Sequence, residues 1–234
     1  MKSNLNDLIV FENESVLVIN KPKNLLVHAT SFNEQNTLFN LIKHKIKLDE
    51  FPVEIRNIRA GILQRLDKNT NGLMVVAKTK QAYDVLFEQL QNKSLVRRYQ
   101  ALVHGNFKDE ELLIDAPIKR SKQSGTKRVV SSDFDALEAQ TQIKVLKNLN
   151  NASLIECQLL TGRTHQIRCH CAYIKHPVWN DALYGKLDPN INQDYGQFLT
   201  SFYIRFFDPI TNYPKEFSID LDATFKQQIK KLSK

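Results

Sequence analysis

Four short segments gather the residues able to do chemistry. Gln64-Arg65-Leu66-Asp67-Lys68-Asn69-Thr70-Asn71-Gly72 sets one carboxylate among cations in a polar turn before an apolar run. A single acid on a loop fixed by a strand can act as nucleophile or base. The same Asp67 can instead pair with Arg65 or cap its turn. Thr161-Gly162-Arg163-Thr164-His165-Gln166-Ile167-Arg168 leaves a strand and enters a helix, with Thr164 near the N-cap. N–H groups at a helix start, with Arg163 and Arg168 beside them, make an anion site suited to phosphate. An ordinary helix start with solvated arginines uses the same residues. Asn20-Lys21-Pro22-Lys23-Asn24-Leu25-Leu26-Val27-His28 reads as a basic turn, in which Pro22 disfavours helix at Lys21. Arg97-Arg98-Tyr99 opens a strand, and Tyr99 is either a core aromatic with a satisfied hydroxyl or a platform for a stacked base.

Metal chemistry is disfavoured. His165, Cys169, His170, Cys171 and His176 are dense. However, side chains two residues apart on a helix point about 200° apart, so Cys169 and Cys171 do not converge on one ion. Cys171 falls on an apolar stripe with Ile167 and Ile174, and the thiols read as small core hydrophobes. A metal-dependent nuclease needs several clustered acids, whereas these motifs are rich in Arg and poor in Asp and Glu.

The elements that must position these groups follow from period. Leu8 to Phe11 and Val16 to Ile19 read as strands joined by a turn. Leu38, Leu41, Ile42 and Ile46 recur at helical spacing, with Asn36 as N-cap. Gly72 to Lys78 is a strand-length apolar run. The following helix starts at a Thr79 cap, carries Ala82, Leu86 and Leu90 as its stripe and ends at Asn92. Alternation at Tyr99/Ala101/Val103, Ile143/Val145, Ile155/Cys157/Leu159 and Phe202/Ile204/Phe206 predicts half-buried antiparallel strands. Phe225, Ile229 and Leu232 predict a terminal helix. Lys119 to Asp135, the most polar stretch, reads as a solvated loop or a basic arm for phosphates, carrying Lys119, Arg120, Lys122, Lys127 and Arg128. Strands outnumber helices without regular alternation. The expected fold class is therefore α+β, a mostly antiparallel mixed sheet with flanking helices.

Composition bounds the rest. The 234 residues carry 33 Lys+Arg against 25 Asp+Glu, a net charge of +8, which favours polyanions. A 42% hydrophobic content supports a core and excludes disorder as the main state. No apolar run approaches the roughly 20 residues that span a bilayer, and residues 1–7 lack a signal-peptide core. Three Cys make no closed disulfide framework, which fits a cytoplasmic setting.

In this order, the segments resemble motifs of the RluA family of RNA pseudouridine synthases. The matching stretches are K-P-K-N-L-L-V-H (21–28), Q-R-L-D-K-N-T-N-G (64–72), R-R-Y-Q-A-L-V-H-G (97–105), T-G-R-T-H-Q-I-R (161–168) and K-H-P-V-W-N-D-A-L-Y-G (175–185). Gln64 replaces the family's usual His, Asn71 its Ser, and Asn24 and Asn180 its glycines. Leu199-Thr200-Ser201 stands where Leu-His-Ala is frequent. Asn tolerates positive φ, so both glycine replacements suit the backbone.

The resemblance implies one catalytic domain over residues 1–234, without the S4 RNA-binding domain frequent in the family. It implies isomerisation of uridine to pseudouridine in structured RNA (23S ribosomal or transfer RNA), needing no cofactor and no metal. Asp67 would be the catalytic carboxylate and Arg168 the cation holding it ionised. Tyr99 would stack on the target base, and Arg65 would fill the gap left by the flipped nucleotide. Arg163, Thr164, His165 and Gln166 would bind substrate or order the site. The expected partner is RNA, with no membrane association and a monomeric state. The alternative is a non-catalytic RNA-binding protein with the same fold.

Overall fold

The structure, a computed structural model, describes residues 5–29 and 35–234. Residues 1–4, part of the N-terminal stretch read above for a signal segment, lie outside the described residues. In chain order the elements are α1 (Leu5–Leu8), β1 (Ile9–Glu12), β2 (Val16–Lys21), α2 (Leu38–Ile42), α3 (Val53–Arg56), β3 (Asn71–Ala77), α4 (Lys80–Gln91), β4 (Val96–His104), β5 (Glu111–Asp115), β6 (Ile118–Arg120), β7 (Arg128–Val130), β8 (Gln140–Leu149), β9 (Ala152–Leu159), α5 (Gln166–Tyr173), β10 (Leu199–Phe207), β11 (Pro214–Ser218) and α6 (Ala223–Leu232). They form the α+β arrangement expected, a mixed, mostly antiparallel sheet with flanking helices. The chain divides into two compact units, Met1–Arg97 with Tyr203–Ile219, and Arg98–Phe202 with Asp220–Lys234.

In the first unit the strand order is β1-β2-β3-β10, with β11 on β10. β2 and β3 pair antiparallel from Val16↔Ala77 to Lys21↔Gly72. Val16, Val18, Leu73, Val75 and Ala77 pack with Ala82 and Leu86 of α4 and with Ile204 and Phe206. Thr79 caps α4 by accepting the Ala82 N–H, and Asn92 ends it, both as the spacing predicts. At α2 the cap is Thr37 rather than Asn36: its side chain accepts the Asn40 N–H. That helix stops at Ile42, and Lys43–Lys45 continue as a 3-10 turn.

Gly61 locks the chain against β3. Its φ is +73°, and a Cβ there would sit 2.1 Å from the Ala77 carbonyl oxygen. The Ala77 N–H in turn donates to the Gly61 carbonyl at 2.8 Å. This approach sets where residues 62–70 leave the sheet.

In the second unit the order is β4-β9-β8-β5. Tyr99 and Ile143 both stand opposite Cys157, so they share one face. Helix α5 packs on that face: His170 bonds Thr141 Oγ1 and the Ala116 carbonyl, each at 2.9 Å. Leu102, Leu149, Phe198 and Phe225 build the core beneath α6 on the opposite side. A bulge between Val145 and Lys147 reverses the phase of β8, which turns Leu149 to that side.

The polar stretch 119–135 holds a structured element. Ile118–Arg120 and Arg128–Val130 pair antiparallel as a hairpin. Ile118 is buried with Ala139 and Cys169, and Val130 and Tyr184 pack against them. Three-residue strands are too short to show a period, so the sequence displays only the polarity of the turn between them.

Candidate active site

The first unit presents the carboxylate. Along Gln64-Arg65-Leu66-Asp67, Gln64 and Leu66 are buried, Arg65 is exposed and Asp67 is half-buried. Leu66 thus anchors a turn whose polar neighbours face outward. The Thr70 N–H closes the turn on the Asp67 carbonyl at 3.0 Å, and β3 begins at Asn71.

Lys21 braces this turn from inside. Its side chain is fully buried. Nζ donates to the carbonyls of Pro22 and Leu25 at 2.8 Å and of Lys68 at 3.2 Å. One ammonium therefore ties the Lys-Pro turn to the residue after Asp67. Burial pushes the Lys21 pKa down to about 7, against the pull of the Asp67 charge. Asn24, in the same turn, takes φ +62°, the conformation expected of a glycine substitute. His28 is pushed down to about 4, chiefly by burial and also by the charges of Arg65 and Arg59, so it is neutral at pH 7.

The second unit presents Tyr99, Arg168 and the loop before α5. Tyr99 is buried on β4. The helix begins at Gln166, and its N-cap, His165, is the residue after Thr164. His165 occupies the N-cap with φ +57° and makes no side-chain cap bond. Arg168 is buried, unlike the solvated arginine of an ordinary helix start. The reason is Asp181, which is itself fully buried and grips the guanidinium in two bonds, Nε at 2.6 Å and Nη2 at 2.9 Å. Asp181 Oδ1 also accepts the N–H groups of Leu183 and Tyr184 at 2.9 and 3.1 Å.

The remaining loop residues take distinct places. Arg163 is exposed, and its Nε donates to the Glu138 carbonyl at 2.8 Å. Gln166 is buried and uses its whole amide internally. It accepts from Thr161 Oγ1 and the Arg163 N–H, and it donates to the Gln140 carbonyl and Thr141 Oγ1. Thr164 and His165 are half-buried. Asn180 holds φ +58° and clamps its loop through the Gly196 carbonyl and the Asp188 N–H.

Lys21, Asp181 and Tyr184 were assigned no role by residue spacing. Lys21 had one signal: it follows Ile19 on the same inward phase of an apolar strand. Asp181 and Tyr184 lie in the quoted 175–185 motif, but only the fold reveals their partners.

Chemically, the first unit offers one braced carboxylate and the second a buried, oriented cation with an aromatic hydroxyl. A profile described as RNA pseudouridylate synthase matches residues 15–173. An uncharacterized RNA pseudouridine synthase of Mycoplasma genitalium is 38% identical over 98% of this chain and 71% of its own length. The ribosomal large subunit pseudouridine synthase D of Haemophilus influenzae is 34% identical over 96% of this chain and 70% of its own. The structure of human RNA pseudouridylate synthase domain containing 4 has the same fold, with TM-score 0.74 and 22% identity over 97% of this chain and 94% of that one. The chain belongs to the RNA pseudouridine synthase family.

Proposed function

We propose that the chain isomerises uridine in large-subunit ribosomal RNA to pseudouridine, with Asp67 as the catalytic carboxylate. The observation that carries this reading is the Asp67 turn itself: one acid, half-exposed, on a backbone held by the buried Lys21. The bond from ribose C1′ to N1 breaks, the freed uracil rotates, and a bond from C1′ to C5 forms. The C5 proton is lost and N1 gains one, so no oxidant, cofactor or metal is consumed. A single carboxylate suffices for this, unlike the flanking pair of a glycosidase.

Tyr99 is assigned to stacking on the target base and Arg168 to the positive charge at the reacting centre. Arg65, exposed beside Asp67, is assigned to the gap left by the flipped nucleotide, where a guanidinium replaces lost stacking. Flipping costs a few kcal/mol and least where the RNA is unpaired. Arg163, Thr164 and His165 contact the RNA, while Gln166 shapes their loop from within. The large-subunit preference is supported by the name of the Haemophilus relative; transfer RNA is the competing substrate. The protein is read as a cytoplasmic monomer. Among the described residues no helix is long and apolar enough to cross a membrane.

Tritium release from RNA labelled at uridine C5 tests the reaction. Wild type should release tritium, and Asp67→Asn should abolish release while RNA binding persists. Release at the wild-type rate by Asp67→Asn would remove Asp67 from the chemistry. A wild type that binds RNA without release would make the chain a binding protein. Pseudouridine mapping by carbodiimide-modified primer extension in a deletion strain identifies the RNA.

A further inference from the structure

We propose that Tyr184 is a positioning residue that couples the basic β6–β7 hairpin to Arg168, so that seating the hairpin on an RNA backbone sets the pose of that guanidinium. The inference rests on the functional reading above and extends it to how binding reaches the reacting groups. All of its parts lie within the second unit.

Tyr184 touches both ends of the connection. Its hydroxyl accepts the backbone N–H of Arg128, on β7, at 2.7 Å. The same oxygen stands 3.1 Å from His165 Nδ1, at the cap of α5. Its ring lies 5.2 Å from the Arg168 guanidinium carbon and 5.3 Å from Lys127 Nζ. Its backbone N–H donates to Asp181 Oδ1, and Asp181 holds Arg168 in two bonds. One side chain therefore contacts the hairpin strand, a hairpin cation, the helix cap and the Arg168 guanidinium of α5.

A core tyrosine requires less than this. Its ring already packs against the Ile118, Ala139 and Cys169 cluster, and a phenylalanine would fill that space. The hydroxyl adds a specific bond to a strand whose other side is the β6 ladder. Burial raises the Tyr184 pKa, so the hydroxyl keeps its proton at neutral pH. It can thus accept from Arg128 and donate to His165 at once.

The hairpin is also basic, carrying Lys119, Arg120, Lys122, Lys127 and Arg128. Lys119 sits between Asp133 and Asp135, which fixes one side of its base. Lys122 and Lys127 flank the turn. A phosphate drawn to Lys127 would act directly above the Tyr184 ring, and through it on Arg168.

The test uses the full chain with two readouts, the Arg168 Nε–H NMR signal and the single-turnover rate at saturating enzyme on C5-tritiated ribosomal RNA. Tyr184→Phe keeps the ring and removes the hydroxyl. It should shift the Arg168 signal and lower the rate about fivefold, the worth of one ordinary hydrogen bond. Its thermal midpoint and RNA Kd should stay near wild type. Arg128→Pro removes the same bond from the other end without costing a ladder bond. It should shift the Arg168 signal in the same direction, and the double variant should be no slower than the slower single.

An unmoved Arg168 signal in Tyr184→Phe, or rate losses that multiply in the double variant, would overturn the coupling. A wild type that releases no tritium would sink the synthase reading instead. The Arg168 signal would still decide the coupling in that case.

Discussion

The acid-bearing turn and the arginine-bearing helix are held by opposite strategies. Around Asp67 the restraint is on the backbone. A buried ammonium spans three carbonyls, and a glycine lets the chain lie against β3. Around Arg168 the restraint is on the side chain, through a two-bond grip by a buried carboxylate. The first fixes the turn that carries the half-buried Asp67. The second fixes the direction of a long, flexible cation. A guanidinium that orients charge loses about as much by swinging away as by being absent.

The comparison breaks most sharply at Asp181. Asp181→Ala removes the two-bond grip on the buried Arg168 charge and should cost about 3–5 kcal/mol of folding stability by denaturant melt. A loss under about 1 kcal/mol would mean that the pair is not what seats the helix. Gly61→Ala should cost about 2 kcal/mol or more, since positive φ and backbone overlap add. Urea denaturation measures it, and an unchanged midpoint would show that β3 yields easily.

Lys21→Met separates positioning from stability. Removing the ammonium leaves the Pro22, Leu25 and Lys68 carbonyls without its bonds and should cost about 1–3 kcal/mol of folding stability. The turn it holds also shifts the carboxylate, and turnover of the folded protein should fall on the order of 100-fold. Equal losses in Tm and rate would make Lys21 merely structural.

The same lysine predicts opposite pH trends. Its folded pKa, about 7, lies below its unfolded value of 10.5. Between those values the unfolded chain binds more protons, so the Lys21 contribution to stability grows as pH rises from about 7 towards 10.5. Activity should fall as pH rises through about 7, where the folded Lys21 loses its proton, because the neutral amine donates one fewer bond and no longer attracts Asp67. Subtracting the Lys21→Met profiles from wild type isolates both trends; a wild-type activity limb that survives in Lys21→Met would assign it elsewhere. The smallest effect is at the hairpin. Lys127→Ala should weaken binding and flatten the salt dependence by about 0.7 per lost phosphate contact on a single strand. An unchanged slope would take Lys127 off the RNA.

Particular residues show where sequence reading reached and where it stopped. Thr79 and Asn92 bound α4 as read, because capping is decided within a few residues. Asn24 and Asn180 take the left-handed backbone their glycine-like positions required. The start of α5 falls next to Thr164, as read, but the αL backbone of the capping His165 is an uncommon state that no local spacing announces. The burial of Arg168 is not legible in a helical wheel, which carries no information about Asp181, 13 residues onward. The β6–β7 pairing escaped notice because its strands are three residues each.

The sequence by itself determined the family and the α+β class, and it singled out Asp67, Tyr99 and Arg168 as candidates. These rest on residue order and short-range period, which a linear string displays in full. Only the tertiary structure decided that Lys21 is buried beneath the Asp67 turn, that Asp181 grips Arg168 and that Tyr184 joins hairpin to helix. Each of these is a contact between segments distant in sequence. Each is set by burial, which makes an unpaired charge so costly that its partner must be found across the fold.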